Sequence, residues 1–345
     1  MKSLGLVIAL TLVAVVVSSG PVVAQNEASQ DEQWSVPRTA SGQPNLQGIW
    51  ANNVATPLER PVAFEGKDVL TDEELAELKE QIAGVLDGGD AVFGDGLVAA
   101  ALKENSDYLT FDETTGNYSQ VWLVERDVDN RTSLLVDPPD GRLPAMIPAA
   151  AERVAVRGAY LADHPADSWE DRMLNERCIT FGLPNLLAGY NSYYQILQTD
   201  DHVAILQELI HDVRIIPLDN RPHVDDAIRH VHGDSRGHWE GDTLVVETTN
   251  FAANVDSPGA LAMRLLRGVS RELSLVERFT RVGPDKMDYE VTVRNPTLWD
   301  RPWTILIPLS GTTEPIFEYA CHEGNYGMEG ILAGHRVQER DAGSR

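Results

Sequence analysis

Residues 287–294 have the sequence MDYEVTVR, in which apolar and polar side chains alternate without a break. Successive side chains of a β-strand point to opposite faces of the sheet, so this alternation is typical of a strand with one buried face. The apolar row of this strand would hold Met287, Tyr289, Val291 and Val293. We therefore start from this strand in predicting the rest of the fold.

Seven further stretches between residues 193 and 321 have strand-like sequences, and turn residues such as Gly283-Pro284-Asp285 separate several of them. Eight antiparallel strands can close into an up-and-down barrel whose interior suits one small ligand. We predict a mainly β protein with accessory helices, built on an eight-stranded, lipocalin-like antiparallel barrel; a two-sheet sandwich is the alternative. The predicted strands are Tyr193–Thr199, His202–Leu209, Val213–Asp219, Thr243–Phe251, Leu273–Val282, Met287–Asn295, Trp303–Leu309 and Ile316–Cys321.

Four of these strands carry a glutamate in a row that otherwise reads as apolar. Carboxylates are rarely fully buried unless they are paired or functional. The pattern therefore predicts either a polar ligand site, with paired carboxylates as in glycoside hydrolysis, or a structural network neutralised by Arg214, Arg278 or Arg281. The four glutamates are Glu208, Glu247, Glu277 and Glu318.

The N-terminal sequence has the features of a secretory signal peptide, which we assign to residues 1–24. Lys2 gives a positive start, and Leu4–Val17 is an apolar run that is short for a membrane span of about 20 residues. An uncleaved membrane anchor is the alternative reading. Residues 25–45 are polar and predict a flexible leader.

The rest of the chain divides into a region of mixed character and the strand-rich region. We expect residues 46–189 to form helical and extended structure packed on the barrel, and residues 190–345 to form the barrel domain. Thr71 and Glu74 have the spacing of a capping box, which predicts the start of a helix. A second helix is expected over residues 149–162.

The net charge and the number of cysteines limit which partners and which cellular compartment are expected for the protein. The formal net charge is 28 − 53 = −25, which disfavours binding to nucleic acid or to anionic lipid. The chain has two cysteines, Cys178 and Cys321, and an exported protein with a single pair is expected to form a disulfide. Two free buried thiols are the alternative. We expect a periplasmic or secreted protein without a membrane span in the mature chain.

Several motifs resemble those of a family of exported bacterial proteins that has no established activity. The resemblance covers most of the mature chain and implies one integrated unit, without implying a function. The matching residues are Leu46–Trp50, Arg131–Gly141, Glu176–Ile179, Ile210–Asp212, Gly233–Thr248 and Cys321–Tyr326.

Two polar clusters at predicted strand ends are candidates for acid–base chemistry. His211 lies between two strands, and a histidine with a pKa near neutrality suits proton transfer. His322 and Glu323 follow the last predicted strand and are the expected partners of His211. Glu277 is expected to stabilise charge. For each cluster, a structural role in hydrogen bonding or chain reversal is the competing interpretation.

Other polar residues near these clusters are candidates for binding a ligand. A guanidinium group can hold a carboxylate or phosphate in bidentate fashion, and Asp234 can accept a hydrogen bond from a ligand hydroxyl. The alternative for Asp234 and Arg236 is an ion pair within one loop. The candidate ligand-binding residues are Arg214, Asp234, Arg236, Asn325 and Tyr326.

The sequence contains no motif that points to a cofactor or a metal. His230 and His232 have the spacing of two ligands on one strand face, but no further ligand motif supports a zinc site, and surface histidines are the simpler interpretation. A phosphate-binding glycine-rich loop, a dinucleotide fingerprint and a haem motif are all absent from the sequence. We therefore expect neither a cofactor nor a metal.

These observations favour an exported enzyme that acts on a small or medium organic molecule by acid–base chemistry, as a hydrolase, lyase or isomerase. A non-catalytic binding protein for an apolar or phenolic small molecule is the alternative, and a structural or interaction module is the third hypothesis. A carrier predicts a mainly apolar cavity, whereas an enzyme predicts that His211, Glu277 and His322 converge within hydrogen-bond reach.

Overall fold

Ten strands of one antiparallel sheet dominate the computed structural model, which describes residues 34–87, 92, 96–104, 123–210, 212–252, 271–321, 324 and 326–343. The predicted signal peptide and residues 25–33 of the predicted leader lie outside these residues. The strands are β1 (Gly48–Ala51), β2 (Leu135–Asp137), β3 (Tyr193–Gln198), β4 (His202–Gln207), β5 (Asp212–Pro217), β6 (Asp234–Glu240), β7 (Thr243–Thr249), β8 (Ser274–Gly283), β9 (Lys286–Arg294) and β10 (Trp303–Thr312).

Nine of the strands form a nearly closed barrel in the order β5-β4-β3-β1-β10-β9-β8-β7-β6, and β2 pairs with the start of β10. Each hydrogen-bonded pair in this order is antiparallel. Because direction alternates and the number of strands is odd, the first and last strands, β5 and β6, run in the same direction. An antiparallel ladder therefore cannot close the barrel between them.

We call this junction of residues 212–217 and 234–240 the β5–β6 seam. The two strands nevertheless approach each other closely. A Cβ atom added to Gly237 of β6 would lie 2.8 Å from Leu218 Cδ2 and 2.9 Å from Ile216 Cγ2, so glycine allows the close packing there.

Large apolar side chains fill the interior of the barrel. The inner row of β9 is the predicted one, and the residues of that row are buried. The rings of Phe279 and Tyr289 stack with their centroids 4.4 Å apart, and Trp303 on β10 is fully buried beside this core. The predicted mainly β barrel is confirmed, and its interior is packed with side chains.

The predicted strand count of eight is wrong, because the barrel has nine strands. The prediction missed β6, whose inner row of Ser235, Gly237 and Trp239 has little apolar character, and it placed Gly233–Gly237 in a turn. It also missed β1, which lies between β3 and β10 although it comes from the predicted N-terminal region. Residues 316–321 were predicted as a strand but form none.

Of the four glutamates predicted to face inward, two point to solvent. Glu247 is exposed, because the inner row of β7 consists of Leu244, Val246 and Thr248 rather than the alternate residues. Glu318 is exposed outside any strand. The phase near Glu247 was ambiguous because Leu244 and Val246 make the other row of β7 apolar too, whereas the segment of Glu318 forms no strand at all.

The other two glutamates are buried, and only one of them lies within a strand. Glu277 is on the inner face of β8, as predicted. Glu208 is buried just beyond β4, where it accepts hydrogen bonds from the backbone N–H of Tyr193 and from Asn191, each at 3.3 Å. The inner row of β4 is Val203, Ile205 and Gln207, so the assumed inward phase of Ala204 and Leu206 is wrong.

The N-terminal region contributes helices and a second, smaller apolar cluster. Helix α1 (Asp72–Leu86) begins with the predicted capping box of Thr71 and Glu74. It packs with α2 (Gly96–Ala101) through buried residues that include Leu78, Ile82 and Leu97. Residues 35–45 of the predicted flexible leader form an ordered loop, in which the N–H of Asn45 donates to the carbonyl of Pro37 at 2.7 Å.

Two further helices lie before β3 and after β10 in the sequence. Helix α3 (Pro148–Asp163) extends one residue beyond the predicted helix at each end. Helix α4 (Gly327–Gly343) follows the last strand and was not predicted. Helices in the described part of the chain are all too short or too polar to cross a membrane.

The predicted disulfide between Cys178 and Cys321 is confirmed, with a Cα–Cα distance of 5.3 Å. It joins the segment before β3 to the segment after β10. The bond lies in a small apolar cluster with Phe181, Leu209 and Ile210.

Candidate functional site

One end of the barrel gathers polar side chains from strands that are distant in sequence. Alternating strand direction places the start of β3, the end of β4 and the start of β5 together at this end. Strand β6 begins there as well, because it runs in the same direction as β5. Asp212 and Arg214 share the inner face of β5, and His232 lies two residues before β6.

A buried ion pair crosses the interior from the seam to β8. Arg214 Nη1 and Nη2 donate to Glu277 Oε2 and Oε1 at 2.7 and 2.9 Å. The hydroxyl of Tyr289 donates to Glu277 Oε1 at 2.6 Å, and that of Thr248 donates to Oε2 at 3.3 Å. The Glu277 side chain is 0% exposed, so the protein itself satisfies this carboxylate.

The electrostatics of this site raise the pKa of both Arg214 and Tyr289. Burial works against the charge of Arg214, but the charge of Glu277 and its hydrogen bonds raise the pKa of the guanidinium above its ordinary value. Burial and the negative charge of Glu277 raise the pKa of Tyr289 well above its usual range. The Tyr289 hydroxyl therefore stays protonated and donates to the carboxylate.

His232 lies beside this pair and has an unusual environment for a histidine. Its Nε2 atom is 2.6 Å from the hydroxyl oxygen of Thr180 and 3.5 Å from Asp212 Oδ2. Burial, followed by the positive charge of Arg214, lowers the pKa of His232 to about 4. The imidazole is therefore neutral at neutral pH and able to accept a proton.

A small cavity of about 10 Å³ opens next to these groups, with room for roughly one water molecule. Polar and apolar side chains both contribute to its wall, so a molecule within it meets several hydrogen-bonding groups. The lining residues are Leu183, Tyr194, Ile205, Gln207, Asp212, Arg214 and His232.

The candidate ligand residues Asp234 and Arg236 pair with each other, which is the alternative that the sequence also allowed. Arg236 Nη1 donates to Asp234 Oδ1 at 2.7 Å, and Asp234 Oδ2 lies 2.9 Å from His223 Nδ1. Arg236 Nε donates to the carbonyl of Pro222 at 3.1 Å. A role for this pair in ligand binding stays a prediction.

The other arginines that were expected near the buried glutamates have different partners. Arg278 donates to Glu240 at 2.8 Å on the outer face. Arg281 donates to the carbonyl of Asn45 at 3.1 Å and lies over the ring of Trp50. Of the three candidates, Arg214 is the one that neutralises Glu277.

The C-terminal cluster is only partly described. Tyr326 is 75% exposed just before α4. Ile210 and Cys321, which precede two of the candidate histidines in the sequence, pack in the same apolar cluster. Whether the candidates share a site stays a prediction, because His211, His322, Glu323 and Asn325 lie outside the described residues.

Sequence reasoning missed Thr180 and Tyr289, and it treated His232 as a surface residue. One signal was present for His232, since His230 and His232 were recognised as a pair two residues apart. In the structure His230 is exposed while His232 is largely buried. Tyr289 was read as a core residue, and its hydroxyl gave no sign of the carboxylate opposite.

The sequence matches no model of a known protein family and no curated protein.

Proposed function

We propose that the protein is an exported enzyme that acts on a small or medium organic molecule by acid–base chemistry, with His232 as the general base. The observation that carries the proposal is a largely buried histidine beside a water-sized cavity that has polar groups in its wall. A general base requires a lone pair at working pH and a position next to the reacting proton. The lowered pKa leaves the lone pair of His232 free at neutral pH, although it makes the ring a weaker base than an ordinary histidine. The adjacent cavity supplies the position for the reacting proton.

The neighbours of His232 favour one tautomer of its ring. The carboxylate of Asp212 is 3.5 Å from Nε2, and the oxygen of Thr180 is 2.6 Å away. Both oxygens can accept a hydrogen bond from an Nε2–H group, which leaves the lone pair on Nδ1. Thr180 and Asp212 then act as positioning residues that hold the ring, as the partners of catalytic histidines do in other enzymes.

Hydrolysis is the reaction class that suits a cavity with room for one water. In this mechanism His232 takes a proton from water while the water oxygen attacks the carbonyl carbon of an ester. The ester C–O bond then breaks, and the proton passes to the departing alcohol oxygen, giving an acid and an alcohol. The alternative, a carrier for an organic ligand, is less well supported because aromatic side chains fill the described interior.

Hydrolysis of p-nitrophenyl esters of acetic to decanoic acid at pH 7 tests this proposal. We expect turnover above the uncatalysed rate, and a loss of about 10²–10⁴-fold in kcat for His232→Gln. The matched control is His238→Gln, because His238 is a half-exposed histidine of β6 beside Glu240. Absence of ester turnover, or equal rates for wild type and His232→Gln, would contradict the proposal.

A further inference from the structure

A second cluster of chemically active side chains lies outside the barrel, where α4 meets the segment that follows α3. His335 and Glu339 are four residues apart on α4 and therefore share one helix face. Asp167 follows α3 by four residues. One donor atom from each of the three side chains lies within 4.8 Å of the others.

The distances within this cluster are longer than good hydrogen bonds but suit a shared metal ion. His335 Nε2 is 3.6 Å from Asp167 Oδ1 and 3.4 Å from Glu339 Oε1. Ligands at about 2.0–2.1 Å from a tetrahedral zinc ion are separated by about 3.3 Å along each edge of the tetrahedron. The two distances are close to that edge length.

The ring nitrogen at the centre of the cluster is buried and unsatisfied. The side chain of His335 is 13% exposed, and its Nε2 atom has no hydrogen-bond partner among the described residues. A buried polar atom without a partner lowers stability. A bound cation would satisfy this nitrogen and both carboxylates together.

The surrounding residues hold the remaining carboxylate oxygens. His164 Nδ1 is 2.8 Å from Asp167 Oδ2, and its ring stacks on Tyr160 with centroids 4.7 Å apart. Arg336 Nε lies 3.2 Å from Glu339 Oε2. These contacts leave Asp167 Oδ1 and Glu339 Oε1 facing His335, because residues that hydrogen-bond to metal ligands orient the ligand atoms.

Arg336 also brings an opposing positive charge to the cluster. Its Nη2 atom is 3.7 Å from Asp167 Oδ1 and donates to the carbonyl of Ala166 at 2.8 Å. The guanidinium offsets one of the two carboxylate charges, so one net negative charge remains to attract a cation. The site is therefore expected to be weaker than one with two unopposed carboxylates.

We propose that Asp167, His335 and Glu339 bind a divalent transition-metal ion, and that Zn²⁺ is the ion best suited to this donor set. One imidazole nitrogen and two carboxylate oxygens supply three ligands, and water completes a tetrahedron. The ion would connect α4 to the segment after α3. The imidazole distinguishes this site from one for Ca²⁺ or Mg²⁺, which prefer oxygen ligands throughout.

Isothermal titration of the tag-free protein with ZnCl₂ tests the site. We expect one equivalent of Zn²⁺ to bind to wild type, and this binding to be lost in His335→Ala and in Glu339→Gln. His164→Ala is expected to weaken the affinity about 10–100-fold, because it removes the residue that orients Asp167. Circular dichroism of each variant confirms that the fold is retained.

The matched control is His202→Ala. His202 Nδ1 lies 2.9 Å from Asp201, so this surface pair offers one carboxylate instead of two. Zinc binding should be unchanged in this variant, and CaCl₂ should not compete with zinc in wild type. Absence of zinc binding by the wild-type protein, or binding that survives in His335→Ala, overturns the proposal.

Discussion

The two sides of the barrel are held together in different ways. In the β7–β10 ladder, which consists of residues 243–249, 274–283, 286–294 and 303–312, neighbouring strands pair along most of their length. Across the β5–β6 seam, the described residues form no such ladder. A chain of side-chain contacts instead runs through the interior from Ser235 to Thr248, then to Glu277 and Arg214.

This difference predicts in which part of the barrel a substitution destabilises the protein most. In the ladder, many backbone hydrogen bonds and apolar contacts share the stabilisation, so the loss of one contact has a limited effect. At the seam, the connection consists of the close packing at Gly237 and of a few polar groups, each of which is buried with a specific partner. We therefore expect seam substitutions to be the more damaging, and the candidate site lies beside this seam.

The largest effect is expected for Glu277→Ala. The substitution leaves the guanidinium of Arg214 buried without its partner, and loss of one member of a buried ion pair typically destabilises by about 3–5 kcal/mol. The measurement is the free energy of unfolding in urea at pH 7.

The control for this variant is the double substitution Arg214→Met with Glu277→Leu, which removes both charges and keeps side-chain volume. Apolar replacement of a whole buried pair is often neutral or stabilising, so the double variant should be more stable than Glu277→Ala. A loss below about 1 kcal/mol in Glu277→Ala would show that the pair does not connect the seam.

The next effect concerns pH and His232. The pKa of this histidine is about 4 in the fold, against an ordinary value of 6.5. Between these two values the unfolded chain binds a proton that the folded chain does not, so lowering the pH favours unfolding. Above pH 6.5 the histidine is neutral in both states and the free energy of unfolding is not reduced. As the pH falls from 6.5 towards 4, the free energy of unfolding decreases by up to about 3 kcal/mol.

Urea unfolding of wild type and His232→Gln across pH 4–7 measures this contribution. Carboxylates also titrate in this range, so the difference between the two proteins isolates the histidine. We expect the stability of wild type to fall more steeply with acid than that of the variant. Parallel curves would mean that His232 is protonated as readily in the fold as in the unfolded chain.

A third test concerns the close approach of β5 and β6. In Gly237→Ala, the added Cβ would lie within 3 Å of side-chain atoms of Ile216 and Leu218. Overpacking of this kind typically destabilises by about 1–3 kcal/mol. The control is Gly84→Ala in α1, where the added Cβ has no neighbour within 4 Å and alanine favours the helix by about 0.5–1 kcal/mol. Equal stabilities of the two variants would indicate a loosely packed seam.

The same contrast explains which parts of the fold could be predicted from the sequence. Strands β8 and β9 have one apolar row each, so the inward position of Glu277 followed from its neighbours. Strand β4 has apolar residues in both rows, and the sequence did not indicate which row faces inward. Strand β6 was missed because close packing at the seam requires glycine in its inner row, and glycine gives no apolar signal.

The candidate site was less predictable because its partners are distant in sequence. Thr180 and His232 are 52 residues apart, and they meet only because the strand order brings the start of β6 to the start of β5. That order depends on the insertion of β1 between β3 and β10, which no local pattern indicated. The proposed zinc ligands are likewise split between the segment after α3 and the unpredicted helix α4.

The smallest effect is expected within the β7–β10 ladder, for Ile307→Val. Ile307 is fully buried on β10 opposite Tyr289, so the substitution removes one methyl group from a packed core but no hydrogen bond. Such substitutions typically destabilise by about 0.5–1.5 kcal/mol. Urea unfolding at pH 7 again provides the measurement. Ile307 pairs with Tyr289, whose hydroxyl donates to Glu277. Comparing Ile307→Val with Glu277→Ala therefore contrasts the loss of apolar packing with the loss of a buried ion pair at neighbouring positions. If Ile307→Val were as damaging as Glu277→Ala, the proposed contrast between ladder and seam would fail, and the barrel would behave as one uniformly packed core.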